Sequence, residues 1–162
     1  MYVLSPDALA GTVSYSMRDS MHYDVRERKI YLYGAASVRY LDVTLTAGRM
    51  VIDYAENLVV AEPAEDSLGN PIELPNFEQG AQAFDARGLR YNFKTGKGII
   101  TNAKTKQGDL FVLGGRTKLV TADAADPTRA DDKVYNADAI ITTCELEART
   151  AERRRCAPHR SR

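Results

Sequence analysis

A short unit recurs along this chain and constrains its fold more than any other feature. It reads Asp19-Ser-Met21-His-Tyr23-Asp24, then Gly48-Arg-Met50-Val-Ile52-Asp53, then Gly88-Leu89-Arg-Tyr91-Asn92. Each copy sets two apolar residues one position apart and ends on Asp or Asn. A polar turn follows, and then a second apolar run: Lys29–Tyr33, Asn57–Ala61 and Gly98–Thr101. Alternation of period two around a turn rich in Asp, Asn, Gly and Lys predicts a β-hairpin. The copies lie 29 residues apart (Met21 to Met50) and then 39 apart (Met50 to Leu89), a spacing that signals stacked architectures. The expectation is a pile of hairpins presenting a long surface, not a catalytic centre.

The strand signal is nearly continuous from Met21 to Leu119. It begins with an edge strand near Thr12–Ser16 and continues through Val38, Tyr40, Val43, Leu45 and Ala47, broken by a turn at Leu41-Asp42. Further strands are expected at Gln82–Ala86, Leu89–Phe93, Gly98–Ala103, Leu110–Leu113 and Val134–Cys144. No stretch here sustains apolar residues at helical spacing. Pro63, Pro71 and Pro75 mark Glu62–Gly80 as a loop with a tight turn and a short edge strand at Ile72–Leu74. A second loop is expected over Thr121–Asp132. The predicted organisation is a lead-in over residues 1–11, one all-β domain over 12–146 and a tail over 147–162. That tail carries six Arg against two Glu and is expected to be disordered, a basic arm touching phosphates being the alternative.

Composition removes several function classes. The 162 residues suit one domain that buries roughly two thirds of its unfolded surface. A 44% hydrophobic and 27% charged composition is that of an ordinary folded protein. A formal net charge of zero argues against a general nucleic-acid binder. No apolar run reaches the length of a membrane-spanning helix. The N-terminus lacks the basic start and apolar stretch of a signal peptide, which leaves a cytoplasmic chain or a piece of a longer exported one. Nine Tyr and no Trp fit half-buried strands.

Candidate chemistry is sparse. Cys144 and Cys156 have no Cys or His at ligand spacing, so no metal site is expected; they pair with each other, pair outside the chain or stay free. His22 sits mid-strand facing solvent, and with His159 as the one other imidazole no nucleophilic triad assembles. Carboxylates such as Glu62, Glu65 and Asp66, or Asp131 and Asp132, read as solvated loop residues, with no spacing that singles out a glycosidase pair. Thr95-Gly96-Lys97-Gly98 lacks the frame of a phosphate loop and reads as a hairpin turn in which Gly supplies positive φ. Asp24, Asp53 and Asn92 occupy equivalent strand ends, where turn capping explains them better than calcium.

What remains is the apolar face itself. Alternate positions give Met21, Tyr23, Ile30, Leu32, Val38, Leu45, Met50, Ile52, Leu58, Val60, Phe84, Leu89, Tyr91 and Ile99. In a closed sandwich these form the core; between splayed sheets they line a dry cleft suited to acyl chains, and periodicity alone does not choose.

Several segments resemble a known family. Val13-Ser-Tyr-Ser16, Arg18–Met21, Lys29–Gly34, Leu45–Ala47, Ile52-Asp53, Phe84–Ala86, Leu89–Gly98 and Ile141–Cys144 are similar, in order and spacing, to the N-terminal OstA-like (LptA-like) domain of the outer-membrane lipopolysaccharide-assembly family, LptD/OstA. The resemblance covers about residues 9–146. It implies an open, V-shaped β-jellyroll of two antiparallel sheets at the periplasmic face of the outer membrane. Lipid A acyl chains would travel inside, and edge strands would dock to bridge proteins of the same fold. It further implies a transmembrane β-barrel in the full-length protein, no enzymatic activity and no cofactor, and a disulfide to the barrel that would involve Cys144. The alternatives are a free periplasmic bridge protein of this fold, a closed β-solenoid-like spacer or scaffold and, third, a carbohydrate-active jellyroll.

Overall fold

The computed structural model describes residues 11–80, 82–122 and 131–143, and all of its regular structure is β. The strands are β1 (Val13–Ser16), β2 (Ser20–Asp24), β3 (Lys29–Tyr40), β4 (Val43–Asp53), β5 (Leu58–Glu62), β6 (Ala64–Glu65), β7 (Pro71–Ile72), β8 (Asn76–Gln79), β9 (Gln82–Asp85), β10 (Gly88–Asn92), β11 (Lys97–Gln107), β12 (Leu110–Val120) and β13 (Lys133–Thr142). All pairings are antiparallel, in the order β1-β3-β4-β5-β10-β11-β12-β13, with β2 also on β3 and the β8–β9 hairpin bridging β4 and β11. The anticipated jellyroll is therefore present.

Three capped hairpins organise one layer. Asp24, Asp53 and Asn92 each precede a four-residue turn. Asp24 Oδ1 accepts the N–H groups of Arg26 and Glu27, Asp53 Oδ1 those of Ala55 and Glu56, and Asn92 Oδ1 that of Thr95. The fourth turn residue is left-handed each time: Arg28 (φ 56), Asn57 (φ 53) and Gly96 (φ 61). Its carbonyl accepts an N–H from the next strand along, Tyr54 onto Arg28, Phe93 onto Asn57 and Thr121 onto Gly96. The repeated unit is thus a turn that hands a hydrogen bond to its successor. Arg28 is the one copy whose side chain gains nothing from positive φ, so Arg28→Gly is expected to raise stability by about 1 kcal/mol in urea unfolding.

The caps also predict an acid response. Backbone N–H donation from Glu27, then Arg26, holds the Asp24 carboxyl below its ordinary 3.8. A depressed carboxylate stabilises the fold above its unfolded pKa, and that contribution disappears as pH falls through the lower folded value. Asp24→Asn keeps the acceptor without the charge. The stability gap between wild type and this variant is expected to be constant near neutrality and to close below pH 3.8.

Five long strands turn a corner and enter both layers. In β3 the corner lies at Gly34 (φ 75) and Ala35 (φ 41), in β11 at Asn102 (φ 50) and in β13 at Asp138 (φ 55). The β3–β4 pairing passes from Tyr33↔Arg49 to Ala36↔Ala47, and the β11–β12 pairing from Thr101↔Arg116 to Ala103↔Gly114. The extra residue lies on β3, where Gly34 and Ala35 stand against Gly48. At the corner the buried positions shift parity in β4 (Leu45 and Ala47, then Met50 and Ile52) and in β11 (Gly98 and Ile100, then Ala103), so both halves keep an apolar face inward. Glu73 fastens the corner: its carboxylate accepts the Ala35 N–H (3.1 Å) and pairs with Arg18 (2.9 Å), and its carbonyl accepts the Gly48 N–H (2.8 Å). A Cβ at Gly48 would run into the Ala64 backbone, which leaves glycine as the residue that fits.

The segment from Glu62 to Gly80 departs from the sequence expectation. The short strand sits at Pro71–Ile72, paired with Ala64–Glu65, and Asn76–Gln79 is a full strand on β4. The expected tail over residues 147–162, with Cys156 and His159, lies outside the described residues, and so does Cys144.

Candidate functional site

The interior widens from the corner outward, and side-chain size follows. Nearest the corner stand Ala36, Ala47, Ala86 and Ala103, with Gly114, all buried. Small residues let the layers meet closely there. The next row of this layer runs Tyr15↔Val38↔Leu45↔Phe77↔Phe84, and the outermost Val13↔Tyr40↔Val43↔Gln79↔Gln82. The facing layer supplies Met21↔Leu32↔Met50↔Ala61↔Leu89↔Ile100↔Thr117↔Asn136 and Tyr23↔Ile30↔Ile52↔Val59↔Tyr91↔Gly98↔Leu119↔Val134. The result is a wedge-shaped interior crossing the sheet, apolar through its middle, with Gln79, Gln82, Thr117 and Asn136 as its polar members. Gly98 fits because the Tyr91 ring occupies the space a Cβ would take, 3.2 Å away.

The wedge is filled along its middle and bare at its two ends. Ile30, Leu32, Val38, Leu45, Met50, Ile52, Phe84, Leu89 and Tyr91, all expected on the apolar face, are 0–5% exposed and form a packed core, not the walls of an empty cleft. Met21 and Tyr23 share that face, opposite Leu32 and Ile30, yet are 51% and 49% exposed because β2 is an edge strand. Tyr15 on β1 is likewise exposed. At the far end Leu110 and Ile141 are exposed, Ile141 opposite half-buried Val112.

Three expected face residues lie on the other side. Leu58, Val60 and Ile99 point outward, and their neighbours Val59, Ala61 and Ile100 point in. Leu58-Val59-Val60-Ala61 and Ile99-Ile100 are unbroken apolar runs, so no polar residue marks which parity faces the core. Phe77, on the strand directly after Pro75, also lies outside the expected set.

Aromatic groups straddle the mouth of the wedge. Burial first, then the neighbouring Tyr15 phenol, pushes the Tyr54 hydroxyl up. Tyr40 and Phe93 rings meet at 5.1 Å, Tyr91 and Phe93 at 5.5 Å. Tyr91, raised by burial against the lowering effect of its bond to Thr121, remains a protonated hydroxyl. Among the described residues both ends of the sheet also end in strands with one unpaired edge, β1 and β2 on one side and β13 on the other. An unpaired edge offers main-chain donors and acceptors to another chain. His22 lies outward beside Tyr31, and Glu62 pairs with Arg49.

Corner, wedge and end strands without a partner among the described residues define the class: an antiparallel two-layer β-jellyroll with a largely apolar interior. A solved structure with this fold is that of LptH, the LptA homologous periplasmic component of the conserved lipopolysaccharide transport device from Pseudomonas aeruginosa. The match has a TM-score of 0.56 at 12% identity and covers 82% of this chain and 99% of LptH. No protein-family model matches the chain, and no curated protein matches its sequence.

Proposed function

We propose that this protein conducts lipopolysaccharide through the periplasm, holding lipid A acyl chains between its two layers while the sugars stay in water. The observation that carries this reading is the apolar wedge running from the β1/β2 end to the β13 end, with Tyr15, Met21, Tyr23, Leu110 and Ile141 exposed where it stops. Each acyl methylene withdrawn from water contributes about 0.8 kcal/mol, so chains are retained without any specific polar contact. The similarity to LptH supports the same reading. The unpaired edges suit docking to bridge proteins of the same fold by strand addition. The domain works without catalysis or cofactor, as a passive conduit pushed from upstream. Loading requires the mouth to widen, parting Tyr15 from Tyr54 and Tyr40 from Phe93. The resemblance to LptD/OstA supports placement ahead of a β-barrel at the outer membrane. The similarity to LptH, a periplasmic component of the transport device, equally suits the alternative of a free bridge protein of this fold.

The filled middle of the wedge favours a second reading, a closed spacer or scaffold. Binding separates the two. The purified protein is expected to bind a fluorescent lipid A analogue and to release it on adding unlabelled lipopolysaccharide. A folded protein that takes up no analogue would put the scaffold reading first.

A further inference from the structure

β10 to β13 cross the facing layer side by side, and the strand register sets their outward positions in three rows. Nearest the corner is Gly88↔Thr101↔Arg116↔Ala137, then Arg90↔Ile99↔Lys118↔Tyr135, and outermost Asn92↔Lys97↔Val120↔Lys133. Five of these positions hold Arg or Lys, and none holds Asp or Glu. All five cations are exposed, and among the described residues none of them pairs with a carboxylate. We propose that this outer face binds the anionic headgroups of a lipid membrane surface.

The sign of the charge is particular to this half of the layer. Over β2 to β5 the same outer face mixes signs: Lys29 stands between Asp24 and Asp53, and Arg49 pairs with Glu62. On the outside of the other layer, Lys104 has Asp85 opposite. The chain as a whole carries no net charge. It therefore has little general attraction to a polyanion in solution, yet its cationic side turns toward an anionic surface. From strand spacing and rise, the patch measures roughly 14 Å on a side, which spreads the cations over several headgroups instead of gathering them on one phosphate. Ile99 and Tyr135 stand among them 42% and 55% exposed, with Val120 half-buried. At a membrane boundary a tyrosine sets its ring at headgroup depth, and lysine stems lie on apolar surface while the ammonium reaches phosphate. A nucleic acid or an acidic protein segment would use the cations and leave Ile99 in water.

The test is flotation of the full chain with phosphatidylcholine vesicles, with and without phosphatidylglycerol. Binding is expected to the vesicles that contain phosphatidylglycerol alone, and it should weaken as salt is raised. A cation beside an anionic surface is worth about fivefold in partitioning, so Lys97→Gln combined with Lys118→Gln is expected to weaken binding roughly twentyfold. Both side chains are exposed, and the melting curve of this variant should match that of the wild type. Arg39→Gln combined with Lys106→Gln removes the same charge from exposed positions on the other layer and is expected to leave vesicle binding in place. Equal binding to both kinds of vesicle, equal losses from the two double variants, or no binding to either vesicle would overturn the assignment. Tighter retention by immobilised DNA or polyglutamate than by the vesicles would give the face another partner, and also overturns it. The conduit reading is scored apart, since the variant at positions 97 and 118 should still take up the fluorescent lipid A analogue. Failure of the wild type to take up that analogue, with vesicle binding intact, would sink the conduit and leave the membrane face standing.

Discussion

Asp at position 100 is expected to abolish cooperative folding, whereas Asp at position 99 leaves the protein folded. Ile100 is 0% exposed, on the inner row between Leu89 and Thr117. A carboxylate there must be ionised without a partner or protonated in an apolar site, at a cost of several kcal/mol. Domains of this size hold only about 5–15 kcal/mol in total. Ile99, one residue earlier, is 42% exposed and lies directly between Arg90 and Lys118 on its two neighbouring strands. An Asp there loses some strand propensity but gains opposite-charge cross-strand pairs, each worth about 0.2–1 kcal/mol, so the net change is expected within about 1 kcal/mol. Far-UV circular dichroism melts of the two variants decide it. If Ile99→Asp unfolds the chain and Ile100→Asp does not, the β10–β11 register is one residue off and the inner face described here is the wrong one.

Phe77→Ala is expected to remove about 3–5 kcal/mol of stability, the range for a buried aromatic truncated to a methyl group. Phe77 is fully buried on β8, its ring 6.1 Å from Phe84 in its own layer and 5.5 Å from Tyr91 in the facing one. Through Tyr91 and Phe93 the contact chain reaches Tyr40. The side chain therefore sets the spacing between the layers as well as filling volume. The loss should appear as a lower urea midpoint at an unchanged slope. A cost near 1 kcal/mol would mean that the layers close over the gap, and that the wedge has no fixed width.

The hairpin repeat made most of the fold legible, because a capped four-residue turn and a period-two pattern are local properties. The turn also held the information that periodicity lacked. In the first copy Asp24 faces Lys29, so Tyr23 faces Ile30. Carrying that register over puts Asp53 opposite Leu58 and Asn92 opposite Lys97, which sends Val59, Ala61 and Ile100 inward. The corner was not legible. Ala35, Asn102 and Asp138 take positive φ where neighbouring strands bend together. Ala35 gives no sign of it, and Asn102 and Asp138, though types that accept that region, sit inside strand-like runs that hide the bend. β8 was obscured by the prolines beside it, since its pairing with Thr46–Val43 is made some thirty residues away in sequence. Whether the apolar face forms a core or a cleft was open in the sequence, for both use the same residues. The structure packs its middle and bares its ends.

The most direct test of transport is site-specific photo-crosslinking to lipopolysaccharide in the purified protein. A photoreactive phenylalanine analogue replaces Tyr23 at one end of the wedge, Tyr91 within it and Ile141 at the other end. Arg26 and Glu56, on exposed turns, serve as controls. Crosslinks from positions 23, 91 and 141 with none from 26 or 56 are the result the conduit predicts. A folded protein that crosslinks nowhere along the wedge, or equally from the turns, would contradict it.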